Sequence, residues 1–334
     1  MAQVRIADLV TAPTFFDTVA KLATDKSALL RSGIMARNGE ASRIALAEGN
    51  DGTMRYWNDL DGDASIATDD PSVLITPGKV GQSSLKVGKH FRNKAWSTMD
   101  IASNFTGSDP AGWIASRIAD WWIREDQKVL IATLNGVFAD NVANDSGDMM
   151  VNVATDAAGA AAAAEKISAT VVLAAKQTMG DAADRLTTLV MHSVIYTELQ
   201  RQSLIAFIPN DQANIGFGTY LGYSIMIDDG CPAVAGTNRI TYTTYLCGAG
   251  ALGYGEGRAK LPTEVERVAA AGMGSGEETL YTRRVFVMHP VGFDYLKASQ
   301  VGLGPTNAEL ALTANWSRAF DRKHIPLCAI KTNG

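Results

Sequence analysis

The chain has 334 residues, 46% of them hydrophobic and 19% charged, with a formal net charge of −5, an ordinary composition for two globular cores or one discontinuous one. Cys231, Cys247 and Cys328 are too few and too widely spaced for a disulfide framework or zinc knuckle and read as buried thiols serving as small apolar residues. The mild acidity argues against a dedicated nucleic-acid reader, though not against a wall that encloses nucleic acid; with no signal-peptide pattern and no run near the roughly 18 apolar residues of a membrane span, folding in the cytoplasm is expected.

Residues 1–50 mix short apolar stretches (Phe15-Phe16, Ala28-Leu29-Leu30, Ile44-Ala45-Leu46) with Gly33, Gly39 and Gly49, and read as an arm laid over other structure. A charge inversion follows. Asp51, Asp59, Asp61, Asp63, Asp69 and Asp70 stand against Arg55 alone, and then come Lys79, Lys86, Lys89, Arg92 and Lys94 with no acid among them. Residues 51–70 sum to −5 and residues 79–94 to +5, with Pro71 and Pro77-Gly78 between them, so a long hairpin is expected whose acidic and basic arms lie side by side. Too few large apolar residues lie here to cover both faces of a ribbon, and an isolated ribbon is marginal in water. The arm is therefore expected to pack on another copy of the chain. From Lys79 the alternation of Leu85, Val87, Phe91 and Ala95 with Lys86, His90, Arg92 and Lys94 predicts one half-buried strand with a basic outer face.

Ser108 or Asp109 can cap a helix whose first position is Pro110. Ile114, Ile118, Trp121/Trp122, Val129/Leu130, Leu134 and Val137 recur near the helical period, which predicts a helix over about 109–139, roughly 43 Å long. Trp57, Trp96, Trp113, Trp121 and Trp122 gather on the hairpin and this helix, as core residues or interface anchors. The tract from Ala157 to Ala164, low in sequence complexity, reads as a loop or a frayed helix start linking two parts. Beyond it the patterns predict a helix over 168–179, a buried strand over 186–191, a helix capped by Ser193 and running to about Leu204, and a strand over 220–227. Strand-like runs at 240–246 and 280–288 are separated by glycine-rich loops, and the last 30 residues read as a weaker tail.

No motif supports catalysis. Gly248-Ala249-Gly250-Ala251-Leu252-Gly253 matches a dinucleotide fingerprint as a string, but Tyr254-Gly255-Glu256-Gly257 and Pro262 prevent the helix that must hold the pyrophosphate, so it reads as a turn. Asp59-Leu60-Asp61-Gly62-Asp63 resembles the start of a calcium loop. With Gly62 in the sixth position, however, Trp57 and Thr68 occupy the first and twelfth, where acids are needed. His192-Ser193 with Asp228-Asp229, and Cys231 with any histidine, have the residue types of a hydrolase or thiol enzyme without a supporting motif. No catalytic, cofactor-binding or metal-binding residue is expected, and His90 and His289 are expected to be structural.

Longer strings carry more information. Tyr56-Trp57-Asn58-Asp59-Leu60-Asp61-Gly62-Asp63, Leu74-Ile75-Thr76-Pro77-Gly78-Lys79, Trp96 and Gly107-Ser108-Asp109-Pro110 resemble the major capsid protein family of tailed bacteriophages. So do Lys176-Gln177, Gly180-Asp181-Ala182-Ala183-Asp184, Met191-His192-Ser193, Tyr220-Leu221-Gly222-Tyr223, Asp228-Asp229-Gly230 and Gly253-Tyr254-Gly255-Glu256-Gly257; together the strings span roughly residues 50–290. The resemblance implies an α+β, Hong Kong 97-type coat fold. Its parts would be an N-terminal arm (1–50), an extended hairpin loop (51–106), a peripheral domain with a long spine helix (107–165), an axial domain (166–250), and return strands of the peripheral domain with a C-terminal tail (251–334).

By the same resemblance, copies would form pentamers and hexamers that close into an icosahedral shell around phage double-stranded DNA, held without sequence specificity. A scaffolding protein, a portal and optionally a decoration protein would be partners, with no membrane and no cofactor. The scaffold is expected to be separate, since the chain lacks a long charged helical N-terminal extension. The protein would reside in the virion capsid after folding in the host cytoplasm. Intersubunit contacts are expected at Trp57, Asp59, Asp61, Asp63, Lys86, Lys89, Arg92, Lys94 and Trp96. The alternatives are an encapsulin-like compartment shell with the same fold, and a soluble nucleotide-binding enzyme resting on the glycine string alone.

Overall fold

The computed structural model describes residues 3–4, 33–107, 109–202, 206–207 and 218–334. Phe15-Phe16, Ala28-Leu29-Leu30, Ser108 and Leu204 lie outside the described residues. Following strands β1 (Gln3–Val4) and β2 (Met35–Arg37), Asn38 caps helix α1 (Gly39–Leu46) by accepting from the Glu40 amide. Strands β3 (Asp51–Trp57) and β4 (Gln82–Gly88) then form an antiparallel ribbon, with Asp51 opposite Gly88 and Trp57 opposite Gln82.

The expected single basic strand is two strands. The chain breaks at Gly88-Lys89, and β5 (His90–Met99) leaves the ribbon for a larger sheet. The break resets the alternation: Leu85 and Val87 are buried as expected, but His90 is buried and Phe91 exposed. The acidic and basic runs therefore do not lie side by side. Asp59, Asp61, Asp63, Asp69 and Asp70 fall in the loop beyond the ribbon, while Arg92 and Lys94 belong to β5.

Helix α2 (Asp100–Thr106) precedes α3 (Pro110–Asn144), whose 35 residues exceed the expected span and make a rod of about 52 Å. Asp109 Oδ1 accepts from the Gly112 amide at 3.0 Å, and Pro110 fills the first turn. Before residue 127 only Trp122 of α3 is buried; from Gln127 to Asn141 most positions are.

The remaining elements are β6 (Met150–Asn152), α4 (Ala169–Gln177), β7 (Leu186–Met191), α5 (Ser193–Arg201), β8 (Ala206–Phe207), β9 (Gly218–Tyr220), β10 (Tyr223–Ile227), β11 (Ala233–Ala235), β12 (Ile240–Gly248), β13 (Leu252–Glu256), β14 (Thr263–Val268), β15 (Glu277–Pro290), β16 (Phe293–Tyr295), α6 (Asn307–Leu310), β17 (Trp316–Arg318) and β18 (Leu327–Thr332). Among the described residues, one sheet runs β1-β5-β15-β13-β2 with β14 on β15, and a second runs β6-β18-β12-β7-β10-β9-β8 with β11 on β12.

Strand periodicity divides the second sheet between two cores. Val190, Tyr245 and Ala329 point toward Leu130, Leu134 and Val137 of α3, which also meet Phe286 and Met288 of the first sheet. Leu189, Leu246 and Ile330 point the other way, onto Val172 and Ala175 of α4 and Ile195 and Leu199 of α5. A small third core seats Ala41, Ile44 and Ala45 of α1 on Val87 and Val287. The approach of α1 requires glycine beneath it, because a Cβ at Gly255 would stand 2.2 Å from the Ala41 carbonyl carbon.

The C-terminal residues are not a weak tail. β18 lies between β6 and β12, with Leu327 to Ile330 fully buried. A strand covered on both faces reads as a short apolar run without alternation, which is why its pattern was weak. The three cysteines are buried and free, in line with the sequence reading. No helix among the described residues is long and apolar enough to cross a membrane.

Candidate functional site

The ribbon is anchored at its root and bare at its tip. At the root, Lys297 Nζ pairs with Asp51 at 2.8 Å, Asp294 Oδ1 accepts from the Lys86 amide at 2.6 Å, and Tyr56 meets Phe320 edge-on at 4.7 Å. Gly88 lies under Tyr295, where a Cβ would come within 2.7 Å of the ring. Lys89 is 1% exposed, and its ammonium donates to the carbonyls of Ala47, the C-cap of α1, and of Glu48. A cation there complements the helix dipole. Burial nevertheless lowers its pKa, with Asp51 opposing.

Past the root the chain has no interior. Asn58 N donates to Gly81 O at 3.0 Å, and every residue from 57 to 80 is exposed. Trp57 is 69% exposed, Leu60 79%, Ile66 95%, Leu74 83% and Ile75 75%. The polar bonds are local: Asp59 Oδ1 accepts from the Leu60 amide, and Asp70 Oδ1 accepts from the amide and hydroxyl of Ser72, which lowers the Asp70 pKa. Apolar side chains rimmed by five aspartates are the composition of a contact surface, since a monomer gains nothing by exposing them.

Of the nine residues expected at contacts, Trp57, Asp59, Asp61, Asp63, Lys86 and Lys94 are exposed. Lys89 corrects the expectation: its charge is satisfied inside its own chain, so it has no free ammonium to offer a neighbour. Arg92 is half-buried, donating to Pro305 O at 2.7 Å and Asn307 Oδ1 at 2.8 Å, and Trp96 is half-buried with its ring edge-on to Trp121 at 5.1 Å. The loop's apolar residues Leu60, Ile66, Val73, Leu74 and Ile75 were missed. Their signal was an apolar scatter within an aspartate- and proline-punctuated stretch that offers it no core.

A half-buried clamp holds the N-terminal half of α3 over the first sheet. Arg284 donates to Asp126 Oδ2 at 2.9 Å and to the Tyr254 hydroxyl at 2.7 Å, with its guanidinium 5.1 Å from the Trp122 ring centre. Trp122 Nε1 donates to Thr282 Oγ1 at 2.9 Å. Burial raises the Asp126 pKa despite Arg284. Beside this clamp a groove of about 260 Å³ is lined by Trp96, Ile114, Ala115, Val265 and Leu280 among others.

The enzyme-like strings have structural uses. The glycine string turns from β12 into β13 with no helix after it. His192, not Ser193, caps α5: its Nδ1 accepts from the Val194 amide at 3.2 Å, and Asp229 Oδ1 accepts from the Ser193 amide at 3.0 Å. Ser193 Oγ lies 3.5 Å from that same Nδ1, which is already occupied by the cap. Burial raises the Cys231 pKa, the opposite of an activated thiol. Among the described residues no group of three or more His, Cys, Asp or Glu side chains is placed to hold a metal ion.

Comparison with known proteins bears on the whole chain. Residues 122–326 match the family described as Gp13-like, major capsid protein 13-like. The major capsid protein of Bacillus phage SPP1 is 37% identical over 99% of this chain and 98% of its own length. The capsid of Ralstonia phage GP4 superposes with a TM-score of 0.61 over 99% of this chain and 97% of that one, at 11% identity. The acid-stable capsid of Helicobacter pylori bacteriophage KHP30 gives a TM-score of 0.57 over 99% and 98%, at 9% identity. Likenesses at such low identity speak to the fold, which is the α+β coat fold the sequence resemblance implied.

Proposed function

This chain belongs to the Gp13-like major capsid protein family, and on that premise we propose that its copies form pentamers and hexamers that close into an icosahedral shell around phage double-stranded DNA. It is a structural subunit, not an enzyme. The observation that supports the assembly reading best is the loop from 57 to 80, exposed throughout on a root tied down by Asp51, Tyr56, Lys86 and Gly88. A rigidly rooted arm without an interior finds one on a neighbour. An arm reaching from each copy to the next is a heterologous contact, and such contacts close into rings.

Trp57 is the anchor in this reading and Asp59, Asp61 and Asp63 the charged rim, with Lys86 and Lys94 available as partners on the facing copy. An exposed ion pair contributes only about 0–1 kcal/mol, so stability comes from many repeats in a closed shell. We assign residues 1–50 to the arm, 51–89 to the hairpin, 90–149 and 251–326 to the peripheral domain, and 150–250 with β18 to the axial domain, because β5 pairs with β15 in the first sheet and β6 with β18 in the second. A separate scaffolding protein and a portal serve assembly, a decoration protein is an optional addition, and the subunit folds in the host cytoplasm before entering the virion. DNA against an acidic wall needs counterions or local basic patches.

Negative-stain electron microscopy and sedimentation of the full chain, alone and with its scaffold, test this. Closed shells or rings of five and six are expected. A monomer under every condition would count against the reading. Particles filled with an enzyme instead of DNA would favour the compartment alternative.

A further inference from the structure

Next to the Arg284 clamp, a second cavity of about 360 Å³ lies between β5 and α3. Period-two spacing puts Arg92 and Lys94 on the same face of β5, where they form its floor. Its roof is one face of α3, on which Trp121, Trp122, Glu125 and Asp126 recur at the helical repeat, and Phe286 of β15 adds a further aromatic wall. Trp122 and Phe286 are buried, whereas Lys94 is exposed, which puts it at the mouth.

Two atoms of the lining residues are buried without a partner. Arg92 donates from Nη2 to the neutral oxygens Pro305 O and Asn307 Oδ1, but its Nε has no acceptor among the described residues. Asp126 gives Oδ2 to Arg284, but its Oδ1 has no donor among them. Glu125, beside Asp126, engages one oxygen with Lys128 at 2.6 Å. A buried donor or acceptor left unpaired loses its hydration with nothing in return, so such atoms mark where a ligand group belongs. One water does not meet this need. The cavity is many times a water's share of about 30 Å³, and aromatic rings make up much of its wall.

Cations on the floor face carboxylates on the roof, and this selects a molecule that carries both charges. An anion alone satisfies Arg92 but is repelled by Glu125 and leaves Asp126 Oδ1 unmet. A cation alone has the converse fault, with Lys94 opposing it. The volume lies at the low end of the roughly 300–1,000 Å³ of small-molecule sites. We propose that this cavity binds a free α-amino acid with an aromatic side chain. Its carboxylate accepts from Arg92 Nε and the Lys94 ammonium, its ammonium donates to Asp126 Oδ1, and its ring lies among Trp121, Trp122 and Phe286. The site is built from one chain and needs no neighbour.

Lys94 is also offered to a facing copy in the shell reading, so the test uses unassembled full-length subunits titrated calorimetrically with L-phenylalanine. Saturable one-to-one binding is expected, with a rise in melting temperature. Three analogues each remove one element of recognition: phenylacetate lacks the ammonium, phenethylamine the carboxylate, and L-alanine the ring. Each is expected to bind at least about tenfold more weakly. Lys94→Met, at an exposed position, is expected to leave unliganded melting unchanged and to weaken L-phenylalanine about tenfold. No saturable heat up to about 10 mM L-phenylalanine, equal binding of any of the three analogues, or full affinity in Lys94→Met each overturns the proposal. All of these outcomes leave the shell reading standing.

Discussion

The hairpin loop and the second sheet stand in opposite relations to water. From 57 to 80 every side chain is exposed, whereas Leu189, Leu246, Cys328 and Ile330 are completely buried between β-strands and the helices α4 and α5. The second sheet is stabilised within its own chain. Among the described residues the loop buries nothing there, and in the proposed reading its apolar residues contribute stability in contact with another copy. The proposed function thus places folding and assembly in different residues, and substitutions can separate them.

The largest effect on folding is expected at the junction of α3 with β17. Trp316 is buried, donates from Nε1 to Leu310 O at 2.7 Å, and packs so closely on α3 that a Cβ at Gly136 would stand 2.4 Å from that nitrogen. Trp316→Ala is expected to cost about 3–5 kcal/mol in urea unfolding. Leu246→Ala, inside the second core, follows at about 2–5 kcal/mol; a cost near zero there would mean that this sheet is not self-supporting.

Acid probes the first sheet. Burial, with the Arg92 charge adding to it, lowers His90 from 6.5 to about 3, and burial lowers His289 to about 4. Both are neutral in the folded chain. Between pH 6.5 and 4 the unfolded chain takes up protons that the folded chain does not, so their contribution is complete above pH 6.5 and declines as pH falls. A loss on the order of a few kcal/mol by pH 4 is expected, and the double variant His90→Gln, His289→Gln is expected to flatten the melting temperature against pH.

Smaller still is Asp109→Ala, which removes the cap of α3 and is expected to cost about 1 kcal/mol. At the far end of the scale, replacing Asp59, Asp61 and Asp63 with lysine is expected to shift folding by less than about 0.5 kcal/mol while abolishing shells in electron micrographs. Normal shells from that variant would remove the acidic tip from the contact. A collapsed melting temperature would erase the contrast between loop and core.

What the amino-acid sequence determined by itself was local or collective. Asp109-Pro110 and an apolar period interrupted only by the charged stretch Arg124-Glu125-Asp126-Gln127-Lys128 specify a long helix, because cap and period act within a few residues of each other. Leu186 to Met191 was legible as a buried strand with its bounds, and the residues after the glycine string were legible as lacking the helix a dinucleotide fingerprint needs. The family was legible because many short strings agreed along the chain.

Only the tertiary structure decided which charges stay in water and which strands find partners. Lys89 reads as one more cation in a basic run until the carbonyl of Ala47, 42 residues away, receives its ammonium. β18 reads as a tail until β6 and β12 enclose it. His192 rather than Ser193 caps α5 because its ring nitrogen reaches the Val194 amide, while the Ser193 amide is taken by Asp229 from 36 residues on. In the first two cases the deciding partner is distant in sequence. Local propensity extends a few residues, whereas the cost of burying an unsatisfied polar group or strand edge is settled by whatever the fold brings beside it.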